Sequence, residues 1–117
     1  MKVGFIRCTQ TEGYCPGTTC LNFPGQHKGV FAEFPDEDIQ IVGFTNCGGC
    51  PGKRAVERAR LLIAKGADTI AFSSCIRLGT PIGYPCPFAR KMIETVRKNV
   101  GEDVRILDYT HDGPDGH

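Results

Sequence analysis

Residues 39–66 read IQIVGFTNCGGCPGKRAVERARLLIAKG. The first part, Ile39–Thr45, is a nearly unbroken apolar run rich in Ile, Val and Phe, the composition of a strand buried on both faces of a parallel sheet. From Lys53 to Lys65 the period changes. Ala55, Val56, Ala59, Leu62 and Ile63 fall on one helical face, with Lys53, Arg54, Glu57, Arg58 and Lys65 mostly elsewhere. Gly66 follows as a C-terminal glycine. A strand giving way to an amphipathic helix is half of a βαβ unit.

The rest of the chain continues the alternation. Lys2–Cys8 (KVGFIRC), Thr69–Ser73 (TIAFS) and Val104–Tyr109 (VRILDY) are further strand candidates, each bounded by Gly, Asp or polar residues. Pro87–Val100 carries the stripe Ala89, Met92, Ile93, Val96 and Val100, with Pro87 at its first turn and Gly101 just past its end. Within residues 9–37, Thr18–Phe23 and His27–Phe34 read as two short helices broken by Pro24-Gly25. Residues 112–117 (DGPDGH) form a polar tail. The expected fold is α/β, a three-layer Rossmann-like or flavodoxin-like sandwich. It has a four-stranded parallel sheet with about three helices on both faces, in a single domain over residues 1–117.

Lys+Arg 14 against Asp+Glu 13 leaves a net charge of +1, which argues against a phosphate-neutralising nucleic-acid binder. The apolar run after Met1-Lys2 is too short for a signal peptide, and no stretch approaches a membrane helix. The expected location is therefore cytoplasmic. The unusual feature is cysteine: there are 7 in 117 residues, an odd number. In a reducing compartment such density points to metal binding or thiol redox chemistry rather than to a disulfide framework. A free cysteine is also a good small core residue, but nearly all of these are flanked by Gly, Pro or polar residues.

Ligands of open α/β sheets bind outside the carboxyl ends of the strands. Cys8 closes the first strand, Cys47 and Cys50 follow the second, Cys75 follows the third, and His111 follows the fourth. Cys86 stands just before the last helix, which starts at that same edge. These six residues should gather on one rim. Cys47-Gly-Gly-Cys50 puts two sulfurs within reach of one ion, and its glycines allow the tight turn between them. Pro51 at a helix start suits a thiolate at Cys50 through the helix dipole, with Lys53 and Arg54 adding positive charge; Cys86-Pro87 repeats the device. Soft thiolates select zinc first, with an iron–sulfur cluster as the alternative. Six candidates exceed a single zinc site, so either some are not ligands or more than one ion is held. Cys15 and Cys20 form a second half-site or a cover. The rival reading is a thiol-disulfide oxidoreductase in which Cys47 is the exposed attacking thiol and Cys50 the resolving one.

Other motifs fail. The run from Gly48 to Arg54 is one residue short of a phosphate loop and lacks its hydroxyl, and no Cys is followed by Arg at phosphatase-loop spacing. His27 reads as solvated, and Arg7 and Arg77 as partners of an anion or thiolate, or as surface ion pairs.

Asn46-Cys-Gly-Gly-Cys-Pro-Gly-Lys53, with Ile6-Arg-Cys8, Cys15-Pro-Gly-Thr-Thr-Cys20, Ser74-Cys75-Ile76 and Cys86-Pro87, resembles the CGGC-domain family across nearly the whole chain. The resemblance implies a small prokaryotic cytosolic protein that binds metal, usually zinc, with no established reaction. It draws the ligands from Cys8, Cys47, Cys50, Cys75, Cys86 and His111. Family members often end in Gly-Thr-His; here the residues are Tyr109-Thr110-His111.

Overall fold

The computed structural model describes residues 1–9, 15–50, 52–78 and 86–110. The elements run β1 (Lys2–Arg7), α1 (Thr18–Gln26), a 3-10 helix (Gly29–Glu33), β2 (Gln40–Asn46), α2 (Ala55–Ala64), β3 (Thr69–Phe72), a single-turn α3 (Ser74–Arg77), α4 (Ala89–Val100) and β4 (Arg105–Leu107). The four strands form one parallel sheet in the order β2-β1-β3-β4, so the α/β reading holds.

Period-two alternation along the strands builds two cores. Val3 and Phe5 of β1 face one side with Ala71 of β3, Cys20 of α1, and Val30 and Phe31 of the 3-10 helix. Ile6 faces the other side with Ile70, Phe72 and the apolar faces of α2 and α4. The sheet is thus covered on both faces. Phe5, Phe31, Phe72, Ile6 and Ile70 are fully buried, each stabilising the fold by about 1.5–3 kcal/mol relative to exposure. Gly4 pairs with Gly43 just past a register shift between Val3 and Gly4. A Cβ on either would come within 2.8 or 2.7 Å of Leu62 in α2. The two glycines form a slot in the sheet, and Leu62 fills it.

The break expected at Pro24-Gly25 is not there. α1 runs through both residues to Gln26 and ends at His27, whose φ of 52° is left-handed. The His27 N–H donates to Pro24 O at 3.2 Å and the Lys28 N–H to Phe23 O at 3.1 Å, the Schellman pattern with histidine where glycine is usual. Pro24 lacks the N–H that would reach Cys20 O, and full burial of its ring offsets that loss. The following segment is a short 3-10 helix, not an α-helix. His27 is not solvated as expected: it is half-buried, and its Nε2 lies 2.8 Å from Glu37 O. α2 and α4 each begin two residues later than the sequence pattern suggests, at Ala55 and Ala89, because turns occupy the residues before them. Gly66 closes α2 as expected, with the Ala67 N–H donating to Leu62 O at 3.0 Å. No helix among the described residues is long and apolar enough to cross a membrane.

At the amino edge of the sheet, the Lys2 N–H donates to Asp68 Oδ1 at 3.0 Å and the Thr69 hydroxyl donates to it at 2.8 Å. Burial is the largest single influence on this carboxyl and raises its pKa. The Lys2 N–H, the Thr69 hydroxyl, the amino terminus and Arg105 together outweigh it, so the net shift is downward. The folded chain therefore releases this proton more readily than the unfolded chain. The resulting stability is present above about pH 4 and is lost as pH falls through the folded pKa. Asp68→Asn should lower stability at neutral pH, and its deficit against wild type should narrow at a pH below the folded pKa. Urea unfolding at the two pH values measures this; an unchanged deficit would exclude the charge.

Candidate functional site

The sheet ladders continue past the strand ends and fix the exits of three neighbouring strands. The Cys47 N–H donates to Arg7 O, and the Ser73 N–H to Ile6 O, both at 2.9 Å. The loops after β2 and β3 are therefore pinned on either side of the exit of β1. This is also where the chain reverses direction across the sheet, since β2 and β3 lie on opposite sides of β1. A crevice at that point is the usual ligand position of the fold class.

Cys8 sits at the centre of this rim. Its N–H donates to Cys75 Sγ at 3.3 Å. Cys8, Cys47 and Cys75 are buried and belong to the core on the α2/α4 side, with Cys86 packed against it. Thr9 Oγ1 lies 3.7 Å from Cys47 Sγ. Cys86 is half-buried. Its N–H donates to Ile76 O at 2.8 Å, and its sulfur accepts the Phe88 N–H at 3.4 Å. Burial pushes the Cys86 thiol pKa up, the Phe88 N–H opposes this, and charge on Cys8, Cys50 and Cys47 pushes it up further.

Local sequence shapes the Cys47–Cys50 turn. Asn46 Oδ1 accepts the Gly48 N–H at 2.8 Å, an Asx turn opening the loop. Gly48 and Gly49 follow with φ of 79° and 99°. A Cβ on Gly48 would come within 2.6 Å of Arg54 Cβ, so the first of the two positions demands glycine on both counts. The turn leaves Cys47 4% exposed and Cys50 on the surface. This reverses the expected order, in which Cys47 was the exposed thiol. The dipole argument for Cys50 also weakens, because α2 starts at Ala55. Asn46 was not singled out by the sequence pattern; an Asn directly before a Cys-Gly-Gly run is the signal that identifies it.

The remaining candidates divide differently. Cys20 lies in the opposite core, with its sulfur 3.5 Å from Ser73 Oγ and 3.2 Å from Thr110 Oγ1. Ser74 and Thr110 complete this buried network, the Thr110 N–H donating to Ser74 Oγ at 3.0 Å. Cys20 is thus not turned to the rim thiols. Cys15 is half-buried and its carbonyl accepts from the Arg7 guanidinium, which lies over the Phe44 ring. Arg7 is buried in this role, not paired at the surface. His111 and the side chain of Arg77 lie outside the described residues. Among the described residues no group of three or more Cys, His, Asp or Glu side chains stands at distances that would hold a metal ion.

The profile of the CGGC domain matches residues 2–111. The chain belongs to the CGGC domain family. One relative, an uncharacterised protein of Methanocaldococcus jannaschii, is 33% identical over 112 residues, covering 91% of this chain and 81% of the relative. A second uncharacterised protein of that organism is 38% identical over 53 residues, covering 44% of this chain and 76% of its own length. No solved structure gives a significant match. In this CGGC domain the donor type suits a soft ion, since the rim offers sulfur and backbone N–H groups that hydrogen-bond to it. The described side chains do not close on one ion.

Proposed function

We propose that this CGGC domain binds a soft metal ion with thiolates at the carboxyl rim of its sheet, zinc in the first instance and an iron–sulfur cluster as the alternative. The observation that carries the reading is the pinning of the three adjacent strand exits, with the Cys8 N–H on Cys75 Sγ and the Cys47 N–H on Arg7 O. It puts Cys8, Cys47 and Cys75 just past three adjacent strand ends, which supports this reading. Cys86 and Cys50 lie at the turns before α4 and α2, and the charge that Cys8, Cys50 and Cys47 bring to Cys86 is the kind of conflict a cation relieves. Cys47 and Cys50 are the leading ligands, followed by Cys75 and Cys8, then Cys86 and His111. A bound ion would supply charge neutralisation and, with a coordination position left open, Lewis acidity. The reading assumes a reducing, cytoplasmic setting that keeps the thiols free, and a single domain over residues 1–117.

Elemental analysis with an absorption spectrum, on protein purified without oxygen, tests this. Stoichiometric zinc without visible absorption supports the first form; iron and sulfide with a brown colour support the second. Absence of any metal after incubation with zinc or ferrous iron and sulfide would overturn both.

One observation favours a second reading as a thiol-disulfide oxidoreductase: an exposed Cys50 beside a buried Cys47. The Cys50 thiolate would attack a substrate disulfide. Cys47 would then displace the mixed disulfide, leaving a Cys47–Cys50 disulfide and two substrate thiols. Brief alkylation of the reduced protein should label Cys50 well before Cys47 by peptide mass spectrometry. Equal labelling would remove this assignment of roles.

A further inference from the structure

We propose that the cleft between α2 and α4 binds a small organic anion with an apolar body, of the class of a medium-chain carboxylate. The cleft holds about 420 Å³, within the range of small-molecule sites. Its apolar lining is Ala55 and Met92, both buried, with half-buried Val56 and with Phe88, which stands 38% exposed. A Cβ on Gly52 would come within 2.3 Å of Met92 Cε, so glycine is what lets the chain pass this close to the methionine.

The charges on this cleft are of one sign. Lys53 lines it from the turn before α2 and Lys91 from α4, both exposed, and no carboxylate is among the described lining residues. The nearest carboxylates along each helix are engaged: Glu57 with Arg54, and Glu94 with Arg90. Two ammonium groups over an apolar floor favour an anion over a neutral or cationic ligand. The floor favours a hydrocarbon body over a free inorganic ion, because burying apolar surface is what the cleft can offer. The cleft adjoins the thiols without including them. Gly52 lies just past Cys50, and the Phe88 N–H is the donor to Cys86 Sγ. The proposal therefore stands whether or not the thiols take a metal.

The test is a titration of octanoate into the isotope-labelled full chain, followed by amide chemical shifts, with octanamide as the uncharged comparison. Saturable shifts confined to the lining of the cleft, Lys53, Lys91 and Met92 among them, are expected. Octanamide should bind up to about fivefold more weakly, the most an exposed ion pair usually supplies. Lys53→Ala with Lys91→Ala should bring octanoate down to the level of octanamide and leave octanamide unchanged. Thr95→Trp, at an exposed position on the cleft wall, should block both ligands while the dispersed spectrum of a folded protein persists. Equal affinity for the two ligands, shifts scattered beyond the cleft, or no saturation would overturn the proposal. So would light scattering that showed a second copy of the chain covering this face.

Discussion

Cys47→Ser should abolish stoichiometric metal binding, whereas Cys15→Ser and Cys20→Ser should retain it. Cys47 is held in place by the backbone around it. Its N–H is bound to Arg7 O, and the Asn46–Gly48 turn starts from it. It is buried, so a hydroxyl in its place would present a hard, neutral donor where a soft ion needs a thiolate. Loss of a partner outside the ligand shell already costs about 10–100-fold in affinity, so loss of a leading ligand should exceed about 100-fold. Cys20 faces Ser73 and Thr110 in the opposite core, and Cys15 offers Arg7 its carbonyl, which serine retains. Metal content of the three variants, measured side by side after equal loading, decides the matter. Equal retention in all three would remove Cys47 from the site.

Gly29→Ala should be among the most destabilising single substitutions, by about 4 kcal/mol. Gly29 has a φ of 60°, where a side chain costs about 1–2 kcal/mol. A Cβ there would also stand 2.0 Å from Thr110 O, far inside contact distance. The two segments would have to separate, breaking the hydrogen bond from the Val30 N–H to Thr110 O at 3.1 Å. A buried acceptor left unpaired adds about 1–3 kcal/mol. Gly49→Ala is the matched control. Its φ of 99° is also positive, but nothing lies within 4 Å of the added Cβ, so only the conformational cost of about 1–3 kcal/mol remains. Chemical denaturation of the two variants measures the difference, and similar midpoints would show that the Gly29–Thr110 contact carries no weight.

The parallel sheet was legible because its strands are continuous apolar runs, and a run such as Thr69–Phe72 has few other uses. The gathering of cysteines on one edge followed from that, since Cys8, Cys47 and Cys75 lie within three residues of a strand end. The Pro24 region was misread because local rules treat proline as a breaker. Full burial and a histidine able to adopt the left-handed cap moved the helix end to His27. The exposures of Cys47 and Cys50 were not legible. They depend on the Asn46 turn and on Arg54 lying over Gly48, neither of which is a periodic signal.

The slot formed by Gly4 and Gly43 has a consequence for the rim. Leu62 is keyed into it, with no room for even one added carbon. α2 therefore cannot slide along or rotate over the sheet without lifting Leu62 out, and its amino end keeps a constant height above the strand exits. The Cys47–Cys50 turn then connects two fixed anchors, Asn46 at the end of β2 and Ala55 at the start of α2. Any travel that brings the Cys47 and Cys50 sulfurs onto a ligand must come from torsions between those two anchors.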